Sequence, residues 1–249
     1  MILIFFLIVL CVQSEAFHEW NLNNSSSEIL LSSCDGKIGP IPGSVPGIVH
    51  TDLMAAGLIK LDPYFRYEEE NLSWITEQCW AYTIRPTLPD HIDYDSELFL
   101  RFEGIDTISS IFFNGIQIGS SSNAFRSYSF KIPKSALSKG PRDNLIRVEL
   151  ASARKYAKER AAAYPYTVPE TQNYDVWAEA TSRNFVRKAG SDMGGDWGPA
   201  YIPAGITGRM SFFQQNPISG TGRLAGFVVQ QIIASDYTSA VMNVVVHVA

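Results

Sequence analysis

The sequence predicts an all-β protein, a β-sandwich or jelly roll followed by the first strands of a second β-domain. Between residues 97 and 150, short runs of alternating apolar residues recur at spacings near ten, with turn residues between them. Strand character then lapses over residues 151–198 and returns near residues 206–213 and again from residue 224. The composition is 46% hydrophobic and 18% charged over 249 residues, as in an ordinary globular chain.

The first part of the chain is predicted to be mostly loop, with one short helix. Residues 17–36 lead into a Ser/Asn-rich turn. A helix is predicted over residues 49–56, with Ser44 as its cap, Pro46 in its first turn and Gly57 as its stop.

Three strand predictions follow from alternation and turn chemistry. Residues 97–102 and 146–150 each place three apolar side chains on one face. Within residues 111–118, the pair Asn114-Gly115 accepts the positive φ angles of a type I′ turn between two β-forming runs. We therefore expect a hairpin over residues 111–118 and half-buried strands over residues 97–102 and 146–150.

The segment of residues 151–198 breaks this rhythm. A helix over residues 151–163 is predicted to end before Pro165, and a long stretch with few strand signals follows. Loops of this length inside a compact domain are usually functional. Here the segment ends in a run rich in Gly and Pro.

That run, Gly195-Asp196-Trp197-Gly198-Pro199, is the strongest functional signal before any family is considered. A carboxylate can accept two hydroxyl hydrogen bonds, and an indole offers a flat apolar face to sugar C–H groups. The pattern therefore suits a loop that contacts a sugar. The alternative is an ordinary turn with a core tryptophan.

A domain boundary is predicted at residues 215 and 216. Residues 216–222 are typical of a linker, and strands are predicted over residues 224–233 and 240–249. Two strands alone cannot bury a core. We therefore expect one sandwich over residues 17–215 and a truncated second β-domain over residues 216–249.

The amino terminus is predicted to direct the chain into the secretory pathway. An apolar run of 12 residues, 1–12, is shorter than the roughly 20 that span a membrane. Small residues at positions 14 and 16 fit a signal peptide of residues 1–16, cleaved after Ala16. The alternatives are a buried strand or a short anchor. No later apolar run approaches membrane length, so no membrane partner is expected.

Two further features bear on a lumenal location. Cys34 and Cys79 remain after cleavage and could form one disulfide or stay free and buried. Asn23, Asn24 and Asn71 each begin an N-x-S/T sequon, and Asn23 and Asn24 compete because they are adjacent.

Several functional classes are disfavoured. The net charge of -5 and the lack of a basic patch argue against nucleic acid. No Cys/His cluster, nucleophile elbow or Gly-rich phosphate loop is present, so neither a metal nor a cofactor is expected. The acidic run at residues 68–70 is interpreted as a solvated face. Asp192 and Asp196 could converge, but nothing in the sequence marks one of them as an acid, and no catalytic pair is evident.

Several dense motifs occur in order along residues 17–215. They include VPGIVHTDL at 45–53, DPYFRY at 62–67, FEGIDT at 102–107, NFVRK at 184–188 and DWGP at 196–199, with shorter matches at 57–59, 74–75, 80–82 and 113–115. Together they resemble the N-terminal domain of the lysosomal, animal-type β-mannosidases of glycoside hydrolase family 2.

This resemblance implies a galactose-binding-like jelly roll over residues 17–215 and the start of an immunoglobulin-like β-sandwich over residues 216–249. It also implies a larger enzyme whose TIM barrel, absent from this chain, carries two catalytic Glu beyond Ala249. Such an enzyme releases terminal non-reducing β-D-mannose from N-glycan-derived oligosaccharides, with retention. The chain alone would then be inactive.

In this family a Trp-Asp-Trp run on the first domain helps to hold the terminal mannose. By resemblance, Asp196 accepts hydrogen bonds from mannose hydroxyls and Trp197 shapes the pocket wall. The sequence departs from the family because Gly195 stands where the first Trp is expected and Met193 where a Phe is expected. Two other interpretations remain open: a secreted non-catalytic mannose-binding module, and a purely structural sandwich in which Asp196 is dispensable.

Overall fold

The computed structural model describes residues 18–22, 27–88, 92–140, 142–169, 182–195, 198–215 and 224–248. The chain divides into two compact units. One is His18–Gln215, and the described part of the other is residues 224–248. Each unit is described by itself.

The described residues form fourteen strands and four α-helices. The strands are β1 His18–Leu22, β2 Ser27–Ser33, β3 Ile41–Pro42, β4 Gly47–Ile48, β5 Trp80–Pro86, β6 Glu97–Phe102, β7 Ser109–Phe113, β8 Ile116–Ser121, β9 Tyr128–Lys131, β10 Ile146–Leu150, β11 Gly205–Ile206, β12 Met210–Gln215, β13 Leu224–Ile233 and β14 Ala240–Val248. The helices are α1 Val49–Ala55, α2 Glu68–Asn71, α3 Trp74–Glu77 and α4 Ala153–Ala163.

Two antiparallel sheets make the larger unit a β-sandwich. One has the strand order β1-β12-β6-β9 and the other β3-β2-β5-β10-β7-β8. Their inner faces share one hydrophobic core, in which Phe113 of β7 meets Phe212 of β12 with ring centroids 6.3 Å apart. Fully burying a side chain of this size contributes about 1.5–3 kcal/mol, so this core is the main source of stability.

The strands predicted from alternation are confirmed. Every second residue of β6 and β10 is buried, as the pattern requires. The β7–β8 hairpin turns at Asn114 and Gly115, whose φ angles of 47° and 81° are those of the predicted type I′ turn. The Asn114 side chain also holds the residue directly before β10, because its Oδ1 accepts from the Leu145 N–H at 2.6 Å.

Helix α1 lies where it was predicted, but the cap predicted at Ser44 and the place predicted for Pro46 in its first turn were wrong. The helix begins at Val49, and its N-cap residue, Ile48, makes no side-chain capping bond. The Val49 N–H instead donates to the Ala204 carbonyl at 2.8 Å, next to the β4–β11 pairing. A backbone carbonyl therefore replaces the cap expected at Ser44. Gly57, with φ 72°, ends the helix as predicted.

The Ser/Asn-rich turn predicted for residues 17–36 was wrong over Ser27–Ser33. This stretch is β2, which pairs along its whole length with β5. Ile29, Leu31 and Ser33 are buried there. A disulfide joins Cys34 and Cys79 next to this pairing, which settles a question the sequence left open.

The smaller unit is described as one antiparallel hairpin, β13–β14. Large apolar side chains are exposed along both strands, among them Val228, Ile232, Val244 and Val246. No helix among the described residues is both long enough and apolar enough to cross a membrane.

Candidate functional site

The Gly195–Pro199 run lies between α4 and β11. Gly195 and Gly198 pair with each other through two backbone hydrogen bonds of 3.1 and 3.3 Å. Asp196 and Trp197, the sugar-contacting candidates, lie between them in the sequence and outside the described residues. What can be established is how the flanking backbone is held.

Both sides of this run are anchored in apolar surroundings. Met193 and Ala200 have no exposed surface. Met193 belongs to a small core with Ala153 and Ala157 of α4 and with Ile202. Met193 is therefore a core residue.

A buried lysine holds the segment from inside. The Lys188 Nζ donates to the Asp192 carboxylate at 2.8 Å, to the Pro203 carbonyl at 2.7 Å and to the Asp106 carboxylate. Three acceptors match the three N–H donors of an ammonium group. The side chains of Lys188, Asp106 and Asp192 are 1%, 10% and 24% exposed, so the pair with Asp106 is well shielded from water.

This cluster ties the candidate loop to the sandwich. The backbone of Asp106 exchanges two 2.9 Å hydrogen bonds with Gly205, at the start of β11. Lys188 thus joins Asp106, the start of the loop at Asp192 and its end at Pro203. In the sequence, Lys188 and Asp106 appear only as members of motifs. Their ion pair could not be predicted, because the two residues lie 82 positions apart. Asp192 is committed to Lys188, and convergence with Asp196 stays a prediction.

A second set of contacts holds the segment that follows the run. The Glu69 Oε1 accepts from the Ala200 N–H at 2.7 Å. The Tyr201 hydroxyl donates to the Pro63 carbonyl, and the Tyr201 ring meets the Tyr64 ring edge-on at 6.2 Å. Burial, followed by the nearby Glu69 carboxylate, raises the pKa of Tyr201 to about 12, so this phenol stays protonated as the donor. Glu69 is therefore not merely part of a solvated face, as the sequence suggested.

A cleft of about 520 Å³ opens beside this segment. Its lining includes Gly198, Pro199 and Tyr201, residues at the start of α1, and Asp62 and Tyr64. The Tyr64 ring is 79% exposed, so it presents an apolar face to solvent. The cleft is continuous with the candidate loop and large enough for a small ligand.

His50 is one of the residues that line this cleft. It is 8% exposed, and among the described residues neither ring nitrogen has a hydrogen-bond partner. Its ring contacts Tyr201 edge-on at 5.7 Å. Burial, and then the positive charge of Lys188, lowers the pKa of His50 to about 4, so the ring is neutral near pH 7.

Most of the larger unit matches one family of glycosyl hydrolase domains. Residues 20–208 match the family model described as the glycosyl hydrolase 2 galactose-binding domain-like family. The chain belongs to this family. Its β-sandwich is the fold that the sequence predicted.

Curated relatives of this family member include β-mannosidases. It is 38% identical over 167 residues to β-mannosidase A of Emericella nidulans and 32% identical over 189 residues to β-mannosidase of Mus musculus. These matches cover 66% and 75% of the chain, but only 17% and 20% of the relatives. The chain thus spans about a fifth of their length.

Solved structures give the same picture. A β-D-mannosidase from Dictyoglomus thermophilum is 30% identical, with a TM-score of 0.75 over 91% of this chain and 25% of that one. An exo-chitosanase from Amycolatopsis orientalis shares the fold, with a TM-score of 0.59 over 91% of this chain and 24% of that one, at 16% identity. The family resemblance inferred from the motifs is therefore confirmed.

Gly195 is the position at which the sequence resemblance predicts a tryptophan. A Cβ placed on Gly195 would meet no described atom within 4 Å. Close packing of a Cβ against the described residues therefore does not require glycine here.

The remaining candidates are placed only in part. Asn71 is exposed at the end of α2, where its Nδ2 donates to Glu68 at 2.9 Å. Asn23 and Asn24 lie outside the described residues. No three His, Cys, Asp or Glu side chains gather as a metal site in the part of the chain that is described.

Proposed function

We propose that this chain is the N-terminal part of a retaining exo-β-mannosidase. Its proposed substrate is terminal non-reducing β-D-mannose on N-glycan-derived oligosaccharides. The observation that carries the proposal is the match to a β-D-mannosidase structure at 30% identity over 91% of the chain. The β-mannosidase names of the curated relatives support the same substrate class.

In this proposal the domain completes a mannose site that is otherwise built by a catalytic barrel outside these 249 residues. Asp196 accepts hydrogen bonds from mannose hydroxyls, and Trp197 forms part of the pocket wall. Gly195 leaves one face of the pocket without an aromatic ring. Bond cleavage needs two carboxylates from the barrel, so the chain alone is inactive.

We also propose that the full-length protein is a lysosomal glycoprotein. The predicted signal peptide, the exposed sequon at Asn71 and the Cys34–Cys79 disulfide support passage through an oxidising secretory compartment. Similarity to β-mannosidases of Mus musculus and Bos taurus supports the same route.

Asp196→Ala in the full-length enzyme tests the role of the loop. Losing a hydrogen bond to a charged group costs about 1.5–3 kcal/mol, which corresponds to a fall of about 10- to 150-fold in kcat/KM for an aryl β-mannoside. Asp95→Ala, at an exposed turn between β5 and β6, is the matched control and should leave kcat/KM unchanged. Equal rates for parent and Asp196→Ala would refute the assigned role. If residues 17–215 alone bound mannosides tightly, that result would favour the non-catalytic module.

A further inference from the structure

The cleft of about 520 Å³ has a continuous aromatic lining, to which His50, Tyr64 and Tyr201 all contribute. The Tyr201 ring meets the His50 ring at 5.7 Å and the Tyr64 ring at 6.2 Å, edge-on in both cases. Tyr64 is largely exposed, so its apolar ring surface is available to a ligand. The C–H groups of a sugar ring pack well on a surface of this kind.

His50 brings polar atoms without partners to the cleft. The residue is 8% exposed, and among the described residues neither Nδ1 nor Nε2 makes a hydrogen bond. Because burial and then the charge of Lys188 lower its pKa to about 4, the ring is neutral near pH 7. A neutral imidazole has one N–H donor and one acceptor nitrogen. Buried polar groups are costly to leave unpaired, which favours a ligand that both donates and accepts.

The charges around the cleft favour an uncharged ligand. Neither Lys nor Arg is among the described residues that line it, so an anion would find no cation there. The Asp192 carboxylate is already balanced by the Lys188 Nζ at 2.8 Å. The Asp62 Oδ1 accepts from the Tyr64 N–H at 2.9 Å. Hydroxyl groups suit an imidazole and a carboxylate alike, because each hydroxyl both donates and accepts. A neutral ring with several hydroxyl groups and an apolar face, a pyranose, meets all of these conditions.

The lining is held in place by the protein itself. The Tyr201 hydroxyl donates to the Pro63 carbonyl. The Thr51 hydroxyl donates to the Ile48 carbonyl at 2.8 Å. Ile59, which also lines the cleft, belongs to the main hydrophobic core. A cleft that is formed in advance loses little conformational freedom when a ligand binds.

We propose that this cleft is a second carbohydrate site, which binds one neutral pyranose unit against the Tyr64 ring and the His50 nitrogens. Of the three residues assigned to the mannose site, only Gly195 is described, and it does not line the cleft. The inference goes beyond the proposed function, because it concerns binding by these 249 residues and needs no catalytic barrel.

A titration of the 249-residue chain with methyl β-D-mannopyranoside, followed by saturation-transfer NMR, tests this site. The parent should bind with a Kd on the order of 1 mM, as a small ligand with few contacts does. Cyclohexanol, a ring with a single hydroxyl, is the matched control ligand and should bind at least about fivefold more weakly. Equal affinities, or no binding of the mannoside at about 20 mM, would overturn the proposal.

Two substitutions locate the sugar in the cleft. His50→Phe keeps a ring but removes both ring nitrogens, and it should weaken binding of the mannoside about threefold to tenfold. Tyr64→Ala removes the exposed ring and should weaken binding about fivefold. Tyr67→Ala is the matched control and should bind as the parent does. Tyr67 is 72% exposed, against 79% for Tyr64, and it is not among the residues that line the cleft.

The outcomes of these variants are decisive in both directions. Unchanged binding in either His50→Phe or Tyr64→Ala would overturn the proposal, as would equal losses in Tyr64→Ala and Tyr67→Ala. If His50→Phe does not fold, the two variants at exposed tyrosines decide the matter alone. The proposed function fails by a different result, the absence of β-mannoside cleavage by the full-length enzyme. Either proposal can therefore fail while the other stands.

Discussion

Replacing the buried Lys188 with methionine should strongly destabilise the sandwich. The substitution keeps an unbranched chain but removes the ammonium, and with it three hydrogen bonds, to Asp106, Asp192 and the Pro203 carbonyl. The Asp106 carboxylate, 10% exposed, then loses its cation, while Asp192, at 24% exposed, keeps more contact with water. Breaking a buried pair from one side costs about 3–5 kcal/mol, and we expect the lower part of that range here.

Urea unfolding of residues 17–215, followed by tryptophan fluorescence, measures this loss. Trp80 is buried in the core and provides a suitable signal. Lys131→Met is the matched control, because Lys131 pairs with Glu97 at the surface. That pair is worth at most about 1 kcal/mol. A loss at Lys188 no larger than at Lys131 would refute the view that the buried cluster holds the loop to the sandwich.

Two further outcomes follow from the site. The unfolded chain binds more protons than the folded one between pH 6.5 and about 4, because the pKa of His50 falls from 6.5 to about 4 on burial. The free energy of unfolding should therefore decrease by up to about 3 kcal/mol as pH falls through this window. His50→Phe should abolish this decrease in urea titrations at a series of pH values. If His50→Phe has the same pH profile as the parent, that result would count against a buried, neutral His50. Gly195→Trp adds an aromatic ring at a position where a Cβ meets no described atom within 4 Å. It should raise kcat/KM of the full-length enzyme for an aryl β-mannoside about fivefold. Parent-like kinetics with an unchanged melting temperature would show that the sugar does not lie against position 195.

Locally encoded features could be predicted from the sequence. The turn at Asn114-Gly115 requires positive φ angles that these two residues tolerate, and the structure has them. The alternating strand β10 carries its burial pattern in its own five residues. The DWGP motif marked a candidate loop by its residue types alone, and its contact with a sugar stays a prediction.

Features that depend on distant partners could not be predicted in this way. Strand β2 is rich in serine and becomes a strand because β5 pairs with it. The sequence places Glu69 in an acidic run that was interpreted as solvated, but in the fold its carboxylate accepts a hydrogen bond from the Ala200 N–H. The Val49 N–H needs no capping side chain, because the Ala204 carbonyl accepts its hydrogen bond. Ala204 lies 155 positions further along the chain. In each case the decisive group lies far along the chain, so no local pattern could reveal it.

The substrate preference of the full-length enzyme tests the central claim most directly. The sandwich fold is shared with an exo-chitosanase, so the fold alone does not choose the sugar. The measurement is kcat/KM for matched aryl β-mannoside, β-glucosaminide and β-glucuronide substrates. A site built to hydrogen-bond one sugar should prefer it by at least about 100-fold, and we predict that this sugar is β-mannose. A preference for the glucosaminide or the glucuronide would contradict the account.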